Sequence, residues 1–115
     1  MENLEKIENR LAGACARAGR KRGEITLLAV SKVFPAAALI EAYEAGCREF
    51  GENYVREFEG KFPAVSQLPG AKFHLIGHLQ SNKSRKAAEL FHCVQTVDSP
   101  KLARRLAEAA RQLDV

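Results

Sequence analysis

The sequence predicts an α/β fold: an N-terminal helix followed by four strand–helix units whose strands run parallel. Three observations lead there. Helical and strand-like hydrophobic patterns alternate along the chain. Glycine and proline punctuate the joints between them. No linker or low-complexity segment interrupts the 115 residues, so residues 1–115 read as a single domain.

The first helix shows one apolar stripe, Leu4, Ile7, Leu11, Ala14, Cys15 and Ala18, with a 3.6-residue period. Gly19 stands where a helix ends in a left-handed cap. Ile25 to Ser31 is short, apolar and β-branched, as expected of a strand buried on both faces of a parallel sheet. Pro35 then opens a helix over Ala36 to Ala45, and Gly46 closes it.

Cys47 to Gly51 is the second strand, and a helix follows from Asn53 to about Phe62. The stretch from Pro63 to Gly70 carries two prolines and reads as a loop. Lys72 to Gly77 is the third strand, with a helix from Ser81 to Leu90. Cys93 to Val97 is the fourth. Ser99 and Pro100 supply an N-cap and a first-turn proline for the last helix, which places Leu102, Leu106, Ala109, Ala110 and Leu113 on one side. Right-handed crossovers join such strands. The periodicity is compatible with a small open doubly wound sheet and with half of an eight-unit barrel.

Composition narrows the function. Apolar residues make up 46% and charged residues 28%, ordinary values for a globular protein. No apolar stretch approaches the roughly 20 residues of a membrane helix, and the acidic start does not resemble a secretion signal. A cytoplasmic protein is expected. Cys15, Cys47 and Cys93 are widely spaced. They suggest neither disulfides nor a metal knuckle, and each reads as a small buried side chain. The net charge is +4, with basic clusters at Arg20–Arg22 and Lys83–Lys86. Acidic residues interleave them, which argues against a nucleic-acid surface.

In both architectures chemistry gathers where strands end. Lys32 directly follows the first strand, and alternation puts it on the face of Leu28 and Val30. An amine held in an apolar mouth would lose charge and attack an aldehyde. A lysine that merely snorkels out of the strand end fits the pattern equally well. Asn53 is either a helix cap or a polar contact to a ligand. Ser81 or Asn82 could cap the next helix, and Lys83 is either solvated or near an anion. His74 falls inside a strand and His78 beyond it, so the two share no helical face and no metal site is expected. His74 reads as an inward-facing contact or a satisfied core histidine. No dinucleotide, Walker or nucleophile-elbow motif occurs.

Three segments together resemble the pyridoxal phosphate homeostasis family: Leu28-Ala29-Val30-Ser31-Lys32 with Pro35, Phe50-Gly51-Glu52-Asn53-Tyr54, and His74 to Lys83. The stretch Glu41 to Gly46 also matches. The resemblance covers nearly the whole chain from the first helix on. It implies the N-terminal half of a TIM-type (β/α)8 barrel like the N-terminal domain of alanine racemase. It further implies pyridoxal 5'-phosphate held as a Schiff base on Lys32, with Asn53 and His74 as cofactor contacts. Members of the family resemble carriers that keep free pyridoxal phosphate low, without robust turnover.

A complete barrel runs to about 250 residues, with its phosphate site commonly near strands seven and eight. The family's phosphate-binding Ser and Gly segments match nothing in this chain, which leaves cofactor occupancy open. A half barrel exposes sheet edges and interior side chains, so self-association is expected. Two rival readings stand beside this one. The first is a pyridoxal phosphate-dependent racemase or decarboxylase. It needs an acid or base opposite the lysine, for which Tyr43 and Cys47 are poorly placed in or after a helix. The second is a nucleic-acid-binding α/β module.

Overall fold

The computed structural model describes residues 2–115, with side chains from residue 3 onward. It contains helix α1 (Glu2–Ala18), strand β1 (Leu28–Val30), α2 (Ala36–Glu44), β2 (Glu49–Glu52), α3 (Val55–Val65), β3 (Lys72–Leu75), α4 (Ser84–Leu90), β4 (Cys93–Val94) and α5 (Pro100–Leu113). Single 3-10 turns lie at Arg22–Glu24 and Ser81–Lys83.

The strands form one parallel sheet in the order β1-β2-β3-β4. A doubly wound sheet reverses its order at a switch point. Here each strand lies beside its predecessor in the chain, as four consecutive strands of a (β/α)8 barrel do. The fold is therefore a half barrel, and the doubly wound alternative is set aside. Helices α2 to α5 follow one another across the outer face, each packed against the next.

The core lies between this helical layer and one face of the sheet. Ala29, Phe50, Phe73, Leu75 and Val94 point into it from the strands, and Leu39, Phe58, Val65, Leu90 and Leu102 from the helices. Phe58 is its centre, with ring centroids 4.8 Å from Phe73 and 4.9 Å from Phe91. Such aromatic contacts add to the area they bury.

Several elements differ from the sequence reading. The first strand is not buried on both faces: Val30 is 49% exposed, because nothing covers the inner face of the sheet in this half. The strands are shorter than expected, since a ladder extends only as far as its neighbour. Helix α3 begins at Val55, with Tyr54 in the cap position. Asn53 precedes it and does not cap it.

Pro63 lies inside α3, not in a loop. The helix continues past it because burial of Val65 outweighs the one lost hydrogen bond. The segment before α4 is a 3-10 turn, and neither Ser81 nor Asn82 caps that helix. Cys15 is buried and Cys47 half-buried, but Cys93 is exposed, because it falls on the open inner face of β4. Gly19 and Gly46 adopt positive φ as expected, at 70° and 113°. Ser99 Oγ accepts from the Leu102 N–H at 3.1 Å.

Candidate functional site

Alternation sorts the strand residues into two faces. Ala29 and Ser31, Phe50 and Glu52, and Phe73 and Leu75 face the helices. Leu28 and Val30, Glu49 and Gly51, Lys72 and His74, and Cys93 face the barrel interior, and Asn53, Ile76 and Gln95 continue that alternation past the strand ends. The register pairs Val30 with Gly51, Gly51 with His74, and His74 with Cys93. Hydrogen bonds from Ser31 N to Gly51 O, Ile76 N to Glu52 O and Gln95 N to Leu75 O carry the ladder past the last paired residues. Asn53, Ile76 and Gln95 therefore follow one another at the C-terminal rim, with His74 one layer below, and Lys32 stands in the turn that leaves β1 at the same end.

Lys32 lies in a turn just beyond β1 and is exposed. The desolvated apolar mouth expected around it is not built within this half, because β1 is a sheet edge and the interior lies open. Asn53, just beyond β2, is half-buried. His74 is held from both sides: Nε2 lies 2.8 Å from Glu49 Oε1 and Nδ1 lies 3.1 Å from Gln95 Nε2. Its side chain is only 14% exposed. With the glutamine donating to Nδ1, Nε2 carries the proton toward the carboxylate. Lys32 and Asn53 thus follow the ends of β1 and β2 at the C-terminal side of the sheet, and His74 lies within β3.

Sequence reading missed the groups that hold this rim. Gly51 lacks a side chain where Leu28 and Ile76 converge; a Cβ there would lie 3.1 Å from each. Gly77 is more restrictive, since a Cβ there would fall 2.2 Å from the Asn53 carbonyl oxygen. Its own carbonyl accepts from Thr96 Oγ1. Behind the sheet, Glu52 is fully buried and pairs with Lys61 of α3 at 3.0 Å. Ser31 Oγ donates to the same carboxylate. Lys61 also meets Glu57 at 3.1 Å, an i,i+4 pair readable in the sequence. Burial would raise Glu57, but hydrogen bonds from the Val33 N–H and Lys61, with the ammonium charge, outweigh it and hold its carboxyl below the ordinary value.

Away from the rim, Arg22 forms a two-armed contact with Glu8 at 2.8 and 2.7 Å, tying the first 3-10 turn back onto the middle of α1. His78 and Asp98 lie 3.5 Å apart on the surface. Among the described residues no group of three or more His, Cys, Asp or Glu is arranged to hold a metal ion. Among them, too, no helix is long and apolar enough to cross a membrane.

No family model matches the chain. Individual proteins do. The chain is 49% identical over 107 residues to the pyridoxal phosphate homeostasis protein of Pseudomonas aeruginosa, covering 93% of this chain and 46% of that one. It is 48% identical over 106 residues to the protein of the same name from Escherichia coli, covering 90% and 45%. Among solved structures it is similar to PipY of Synechococcus elongatus with PLP bound. That match has a TM-score of 0.76 and 47% identity, and covers 94% of this chain and 50% of that one. A crystal structure described as an unknown protein from Bifidobacterium adolescentis superposes with a TM-score of 0.84 at 31% identity, covering 99% of this chain and 50% of that one. The chain spans about half the length of the curated relatives it matches.

Proposed function

Because this chain belongs to the pyridoxal phosphate homeostasis family, of whose members it spans about half, we propose that it supplies the lysine on which pyridoxal phosphate is held. The observation that carries this reading is the placement of Lys32. It follows directly after β1 at the C-terminal end of the sheet, the end at which Asn53 follows β2 and His74 lies in β3. PipY, a relative at 47% identity, has been solved with PLP bound.

The residues present fit the aldehyde-and-ring part of such a ligand. When bound, the cofactor supplies an aldehyde carbon that a primary amine can join with loss of water. Lys32 is the amine at the rim. Asn53, whose side chain is not used as the cap of α3, is free to hydrogen-bond a polar ring substituent. His74, locked between Glu49 and Gln95, is a fixed wall beneath. Leu28, Val30 and Ile76 form the apolar surface alongside. The family's phosphate-binding segments match nothing among these residues, so the affinity of this half on its own is weak.

We read the protein as a cytoplasmic carrier of the cofactor without robust turnover. Neither Tyr43 nor Cys47 reaches the Lys32 rim. The Tyr43 hydroxyl donates to Pro69 O at 2.6 Å in the outer layer, and Cys47 precedes β2 at the opposite end of the sheet. The free edges of β1 and β4, together with the open inner face, favour self-association. Light scattering on an eluting sample would then report a mass above that of one chain.

The binding test is direct. Pyridoxal phosphate is added, the adduct is reduced with borohydride, and the labelled peptides are identified by mass spectrometry. Label concentrated on Lys32, and lost in Lys32→Ala, is the expected result. Label spread evenly over the lysines overturns the assignment.

A further inference from the structure

The two peptide groups that flank Lys32 are both tied to one buried ammonium. Lys61 Nζ donates to the carbonyl oxygen of Ser31 at 2.9 Å, which belongs to the peptide bond before Lys32. It also pairs with Glu57, whose Oε1 accepts from the N–H of Val33 at 2.5 Å, in the peptide bond after Lys32. The third direction from Nζ is taken by Glu52, at 3.0 and 3.1 Å. Glu52 in turn accepts from Ser31 Oγ. All three donors of Lys61 are used, and the ammonium is nearly out of water, with its side chain 9% exposed.

Val33 adds an independent sign that this turn is held by force. Its φ is 60°, in the left-handed region that a β-branched residue rarely adopts. Such a conformation persists only where the surroundings over-determine it, and it is enriched at functional sites. Two contacts restrain the turn: the Phe34 N–H donates to Ser31 O at 3.2 Å, and the Val33 N–H donates to the Glu57 carboxylate.

Tying α3 to the sheet does not by itself require charge. A buried ion pair contributes little net stability compared with a well-packed apolar pair of the same size. What the apolar pair could not do is hold Ser31 O and Val33 N at once. We propose that Lys61, with Glu52 and Glu57, is a positioning group that sets the direction in which Lys32 leaves the rim. The proposal rests on the reading of Lys32 as the cofactor lysine, and it extends that reading to three residues on the far side of the sheet.

The test reads the Lys32 amine itself. Lysines are dimethylated with 13C-formaldehyde and a borohydride, and each methyl signal is resolved by NMR. The comparison variant is the pair Lys61→Met with Glu52→Gln, which removes both charges and keeps an acceptor for Ser31 Oγ. In the unaltered chain the Lys32 methyl signal is expected apart from the position of a free-chain lysine. In the double variant, with its melting transition intact, the signal should move to the free-chain position. Attachment of pyridoxal phosphate at Lys32 should become at least about tenfold slower, the rate effect of about 1.4 kcal/mol in alignment.

An unchanged Lys32 signal in the folded double variant would overturn the proposal and leave Lys61 as a tie between layers. Should the double variant not fold, Glu57→Gln decides the matter. Glu57 is partly exposed, and its loss of charge should still shift the Lys32 signal; no shift there also overturns the proposal. A distinct Lys32 signal together with no pyridoxal phosphate attachment would sink the binding reading alone, so the two failures are separable.

Discussion

Gly77, at the end of β3, meets Asn53 so closely that a Cβ on the glycine would lie 2.2 Å from the asparagine carbonyl oxygen and 2.9 Å from its Cα. The segments that follow β2 and β3 thus approach closely at the rim, and their approach depends on a missing side chain. The rigid partner is backbone, which cannot rotate away as a flexible side chain could.

Gly77→Ala is expected to destabilise the chain by about 3 kcal/mol, the upper part of the range for overpacking. For a domain of this size the melting temperature would fall by more than about 10 °C. Thermal unfolding followed by circular dichroism measures it. A fall of only a degree or two would mean that β3 and β2 separate easily here.

Asn53 separates a binding role from a capping role. Removal of an N-cap side chain costs about 1 kcal/mol. Because Tyr54 occupies the cap position of α3, Asn53→Ala should change stability by less than about 0.5 kcal/mol. The yield of pyridoxal phosphate adduct on Lys32 should nevertheless fall roughly fivefold, the worth of about one hydrogen bond. A variant that loses stability but keeps the adduct would return Asn53 to a purely structural role.

Lys61→Met leaves the Glu52 carboxylate buried without its partner. Breaking a buried pair in this way costs about 3–5 kcal/mol. Adding Glu52→Gln removes the orphaned charge and should recover most of the loss. Denaturant titration of both variants checks the order, and a single variant as stable as the double would show that water reaches Glu52.

His92 introduces a pH dependence. Its Nδ1 accepts from the Phe73 N–H at 3.0 Å, which requires the neutral ring. Desolvation, followed by the nearby Lys72 and His74, pushes its pKa below the ordinary 6.5. Below pH 6.5 the unfolded chain takes up a proton that the folded chain refuses, so folding weakens as the pH falls toward the depressed value. Above pH 6.5 the contribution is complete. His92→Asn keeps an acceptor for Phe73 and should flatten the melting temperature between pH 6.5 and 5. A slope equal to that of the unaltered chain would assign the dependence to other groups.

The order of elements and the caps at Gly19 and Ser99 were readable from residue types. They rest on local rules: apolar period, backbone permissiveness at glycine and proline, and the alternation of a strand. The choice of a half barrel over a doubly wound sheet was not local, because it depends on which strand lies beside which. Nor could composition reveal that Asn53 leaves α3 uncapped, that α3 runs through Pro63, or that Cys93 faces outward from the core. Glu52 and Lys61 are nine residues apart and look like any surface charges. Only the packing of α3 across β1 and β2 buries them together, and that burial turns two ordinary side chains into the brace behind Lys32.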